Sequence, residues 1–123
     1  MNRLLKLTAI IEAATGLGLI AVPAIVVRLL LDAEMSGATI PLGRVAGVAL
    51  LALGVACWLA QHDAQSCAAR GLVSAMAFYN IGATLILGAA GVSSGFVGIA
   101  LWPAVILHAV IAVWCVTSLR RSS

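Results

Sequence analysis

Three residues in this sequence could do chemistry from inside a run of apolar neighbours: Glu12, Asn80 and His108. A polar side chain in such a run is costly unless something pairs with it. Glu12 shares a helical face with Thr8 and Thr15, by i, i+4 and i+3 spacing. It is expected near the start of its segment, roughly 7 Å in at 1.5 Å per residue. Burial in a low dielectric disfavours a charged carboxyl, so such a group can exchange a proton or hold a cation. The plainer reading is a carboxyl that hydrogen-bonds to a neighbouring helix. His108 stands among small residues, Ala104, Ala112 and Cys115, which leave room for another helix. An imidazole there could pass protons or ligate a metal or haem, or simply donate between helices. Asn80 is followed on its face by Thr84 and Gly88. Antiparallel helices would put Asn80 and His108 at similar depth, with Glu12 about one turn nearer the inner surface. The candidate intramembrane site is therefore Glu12, Thr15, Asn80, Thr84 and His108. Interhelical hydrogen bonds average only about 0.6 kcal/mol in membranes, so the same residues also suit mere packing.

Two arginines complete the set. Arg44 lies in Gly43-Arg44-Val45-Ala46-Gly47, a GxxxG that permits close helix contact. Arg28 falls one helical turn before Asp32. Either could meet an anionic headgroup or form an ion pair, though snorkelling to the surface is the preferred account of Arg44.

These residues are held by an unusually apolar chain. Of its 123 residues 63% are hydrophobic and 9% charged, against roughly 25% charged in a soluble domain. Mean hydropathy is +1.18. A small soluble fold buries only about two-thirds of its surface and could not hide this much apolar area. A bilayer can. A spanning helix needs about 20 apolar residues, and segments at about 4–22, 41–60, 71–90 and 96–119 qualify. Their lack of period-two alternation rules out barrel strands. The fold expected is all-α, a single four-helix transmembrane bundle over residues 1–123. A short interfacial helix at about 24–32 is expected between the first two spans, opened by Pro23 at a position that needs no N–H. Continuation of the first helix through a kink at Pro23 is the alternative.

Orientation follows from Lys and Arg. Arg3, Lys6, Arg70, Arg120 and Arg121 fall on one side, Arg28 and Arg44 on the other. This asymmetry places both termini in the cytoplasm. The apolar start is longer than a signal peptide's and carries Glu12, so it is expected to be retained. Cys57, Cys67 and Cys115 then face the reducing side, form no CxxC pair and are expected to stay free thiols. No metal set or cofactor motif is expected, and the scattered basic residues make no nucleic-acid stripe.

Ala69-Arg70-Gly71-Leu72 leading to Phe78-Tyr79-Asn80, and Leu101-Trp102-Pro103-Ala104 leading to Leu107-His108-Ala109, carry a likeness over nearly the whole chain. With the Glu12 helix and the GxxxG segment, they resemble small bacterial four-helix membrane proteins of the broadly DoxX-like kind. The resemblance implies a bacterial inner-membrane protein with no established activity, so no catalytic residue comes with it. A membrane-embedded Glu in the first helix is also similar to small multidrug resistance transporters. The aromatic cage of that family is absent here, because the tryptophans stand at 58, 102 and 114. The first expectation is a non-enzymatic structural or accessory membrane component, partnered by lipid and by itself or another membrane protein. The alternatives are a proton-coupled small-molecule transporter using Glu12 and a redox or quinone-linked subunit.

Overall fold

A computed structural model describes residues 1–95 and 97–121. Among the described residues the fold is all-helical: α1 Asn2–Ala21, α2 Pro23–Leu31, α3 Thr39–Ala60, α4 Cys67–Ser93 and α5 Leu101–Arg121, with one 3-10 turn at Gln61–Asp63. Four of these elements are long and apolar enough to cross a membrane. The backbone satisfies itself along each helix, which is what allows apolar side chains to face lipid at no polar cost.

Local chemistry sets the breaks. Val22 leaves the helical region at φ −137° and ψ 58°, and Pro23 restarts the chain as the first residue of α2. The first helix therefore ends rather than continuing through a kink. Asp32, left-handed at φ 49°, stops α2. Before α3 the Ser36 N–H donates to Thr39 Oγ1 at 3.0 Å, and that hydroxyl donates to the Ser36 carbonyl at 2.7 Å. Ser66 caps α4 by accepting from the Ala69 N–H at 3.1 Å, which satisfies one orphan donor of the first turn.

The last helix begins later than the hydropathy profile places it. The expected start at Phe96 lies outside the described residues, and 97–100 form a loop rather than a turn of helix. Pro103 explains the shift. It lacks an N–H and is tolerated only in a helix's first turn, so α5 cannot extend far ahead of it. The loop also has a job. The Gly98 N–H donates to the Leu30 carbonyl at 3.1 Å and the Ala100 N–H to the Leu29 carbonyl at 2.8 Å. These two bonds fasten the end of α2 to the approach of α5. A Cβ at Gly98 would collide with the Leu29 carbonyl.

The helices pack as two antiparallel pairs, α1 with α3 and α4 with α5. Glycines let the first pair close. A Cβ on Gly16 would lie 2.6 Å from the Gly47 carbonyl oxygen, and one on Gly47 would lie 2.7 Å from that of Gly16. Further along, a Cβ on Gly54 would meet Ala13 N at 2.9 Å. The two pairs meet in one half of the molecule only. There Leu4, Leu5 and Ala9 of α1, Cys57 of α3, Val73, Met76 and Ala77 of α4, and Ile111 and Cys115 of α5 form the core, with Ala64. Toward the other end the pairs separate, and α2 lies against α1, α3 and α5 across the gap.

Candidate functional site

The gap between the helix pairs is where the polar residues meet. Glu12 is 2% exposed. It stands midway along α1, about 15 Å from its start at 1.5 Å per residue, and so deeper than the 7 Å expected from sequence. That estimate placed Glu12 too close to the start of its apolar run. Asn80 and His108 likewise fall near the middle of α4 and α5, so all three share one level.

Asn80 is fully buried and joins two elements. Its Nδ2–H donates to the Met76 carbonyl, one turn earlier on the same helix, at 2.8 Å. Its Oδ1 faces His108 Nδ1 on α5, also at 2.8 Å. The His108 ring stands edge-on to Tyr79, with centroids 5.8 Å apart and planes at 83°. Thr84 does not reach this group. Its hydroxyl donates back to the Asn80 carbonyl at 2.7 Å, a common way for a helical threonine to satisfy itself.

Glu12 is not tied in. The carboxyl does not bond to a neighbouring helix as expected, since Asn80 and His108, the polar residues at its level, are bonded to each other. Glu12 Oε1 is buried with no hydrogen-bond partner among the described residues. A buried acceptor left unmade costs about 1–3 kcal/mol. What Glu12 lines is a cavity of about 300 Å³, with Ile11, Thr15, Tyr79, Leu107 and His108, roofed by Val26, Leu29 and Leu30 of α2. Its walls are aliphatic apart from these few polar groups, the composition usual for small-molecule sites.

A second cavity, of about 520 Å³, shares Thr15, Tyr79, Leu87 and His108 with the first. It runs out past Leu50 of α3 and Phe78, Gly82 and Ile86 of α4. Phe78 is 83% and Ile86 71% exposed, on helices apolar enough to span a membrane. The cleft thus reaches sideways, in the plane a bilayer would occupy. Tyr79, which is not among the candidates named from sequence, lines both cavities. Its place directly before Asn80 was the available signal, but helical spacing alone could not tell the cleft side from the lipid side.

The arginines stand apart from this centre. Arg28 and Arg44 are both exposed. Arg28 borders a shallow depression of about 220 Å³ with Glu34 and Met35, beyond the far side of α2. Among the described residues no three His, Cys, Asp or Glu side chains gather as a metal-ligand set. No family profile, curated protein or solved structure matches this chain; among its described residues the fold is helical, with four helices long and apolar enough to cross a membrane.

Proposed function

We propose that this is a small multi-pass inner-membrane protein that binds a small, mostly apolar molecule in the cleft beneath α2, with Glu12 as the polar contact. The observation that carries the reading is the partnerless Glu12 Oε1 in the wall of an apolar cavity. A carboxyl kept only to hold helices together would be bonded to one of them. Transport coupled to protons would use the same binding step, and an accessory role in a larger complex is compatible with it. The reading involves no catalysis.

Glu12→Leu separates binding from packing. If Glu12 faces a ligand, the leucine removes a costly unmade acceptor, and thermal stability should stay level or rise by an amount equivalent to about 1 kcal/mol. Saturable binding of a lipophilic alcohol such as tritiated dodecanol should weaken about tenfold or more. A variant that melts well below the wild type would show that Glu12 is structural after all.

The same proposal puts both termini in the cytoplasm, on the Lys and Arg asymmetry. Cys67 is exposed at the start of α4, while Cys57 and Cys115 are buried. A membrane-impermeant maleimide should therefore leave intact cells unlabelled and modify Cys67 alone in inverted vesicles. Labelling of intact cells would reverse the orientation.

A further inference from the structure

The hydrogen bonds around Asn80 determine which atoms the cleft offers to its occupant. The Asn80 amide is oriented by its Nδ2–H bond to the Met76 carbonyl, so the atom facing His108 is the oxygen. That oxygen carries no hydrogen. The proton between the two residues therefore belongs to His108 Nδ1, and in a neutral imidazole Nε2 is left as a bare lone pair. Second-partner control of a tautomer is the usual way a histidine's free nitrogen is defined. His108 lines both cavities. Glu12 adds a carboxyl whose Oε1 has no bond to His108 or to anything else among the described residues. The remaining polar groups on the cavity wall, the Thr15 and Tyr79 hydroxyls, can each turn to donate or accept. Glu12 likewise accepts when ionised and can also donate when protonated, so His108 alone has a fixed preference, and it is for a donor.

The geometry points to Asn80 as a positioning residue that makes His108 an obligate acceptor, so that the cleft takes an apolar chain bearing a hydroxyl or ammonium donor and disfavours an acceptor-only head group. This rests on the ligand-binding reading above and supplies its chemical selectivity. A site built to accept from a ligand's O–H or N–H penalises an analogue that lacks it, because the site's own polar atoms are then left unpaired.

Chain-matched probes test this on the full-length protein in nanodiscs. Tritiated dodecanol reports binding by scintillation proximity, and dodecylamine and dodecyl methyl ether compete against it. Dodecanol and dodecylamine should both bind, and the ether should be weaker by about ten- to a hundredfold. The comparison of the two donors shows whether the head group is neutral or cationic. In an Asn80→Leu variant His108 can take either tautomer, so the alcohol-to-ether ratio should fall to about threefold or less. A second readout needs no variant at this site. In a His62→Gln background the ¹⁵N spectrum of His108 should show Nδ1 protonated and Nε2 bare. Protonated Nε2 with bare Nδ1, or equal affinity for alcohol and ether in the wild type, would overturn the inference. Failure of all three probes to bind would instead overturn the ligand-binding reading, whatever the tautomer.

Discussion

Gly47→Val should prevent the first helix pair from closing and should lower the melting temperature in detergent by about 10 °C or more, from an overpacking cost of about 2–3 kcal/mol. The reason is reciprocal. A Cβ at Gly47 would lie 2.7 Å from the Gly16 carbonyl oxygen and 2.9 Å from Ile20 N, and a Cβ at Gly16 would lie 2.7 Å from Leu51 N. Backbone atoms in the middle of a helix cannot step aside as a flexible side chain can. The whole of α1 would have to move away from α3, and the dispersion contacts along the pair would weaken together. In lipid that loss matters more than in water, because helix association there rests on packing rather than on a hydrophobic drive. Gly71→Val is the control, since a Cβ at Gly71 meets nothing within 4 Å. Equal melting temperatures for the two variants would show that the α1–α3 contact is looser than described.

The second large effect concerns access. Gly82 lines the outer cavity between α3 and α4, and a Cβ there also meets nothing within 4 Å. Gly82→Leu should therefore fold normally and place four carbons in the mouth of the cleft. Dodecanol binding should weaken about tenfold or more through lost space, while the melting temperature stays at or slightly above that of the wild type, leucine being the better helix former by about 0.8 kcal/mol. Gly71→Leu, at a residue that lines neither of these cavities, should leave binding unchanged. Unaltered binding in Gly82→Leu would mean that the ligand does not use this side of the cleft.

Hydropathy made the four spans and the short helix after Pro23 readable in the sequence, because lipid imposes length and composition on every crossing segment. Depth was partly readable too. Counting residues along antiparallel helices puts Asn80 level with His108, and they are bonded. Counting failed for Glu12, which stands about eight residues beyond the expected start of its apolar run, roughly 12 Å at 1.5 Å per residue, and was assigned too shallow a position. Partner choice was not readable. Nothing in the order of residues says that α1 closes on α3 while α4 closes on α5, since each span is apolar on most of its circumference. The pairing decides that Glu12 looks into a gap and is not tied to Asn80. The GxxxG at Gly43 and Gly47 hinted at it, but the residue that completes the contact, Gly16, lies in another helix.

The fastening of α2 to the loop before α5 is made of main chain alone, through the Leu29 and Leu30 carbonyls and the Gly98 and Ala100 amides. A latch of that kind is blind to side-chain identity. Substitutions along α2 can reshape the roof of the cleft, and so retune what it fits, without loosening the roof itself. Tolerance is concentrated there and withheld at Gly98, where an added carbon strikes the Leu29 carbonyl at the end of α2. On the ligand-binding reading proposed above, the side chains of α2 are free to change what the cleft fits while the mounting of the roof stays constant.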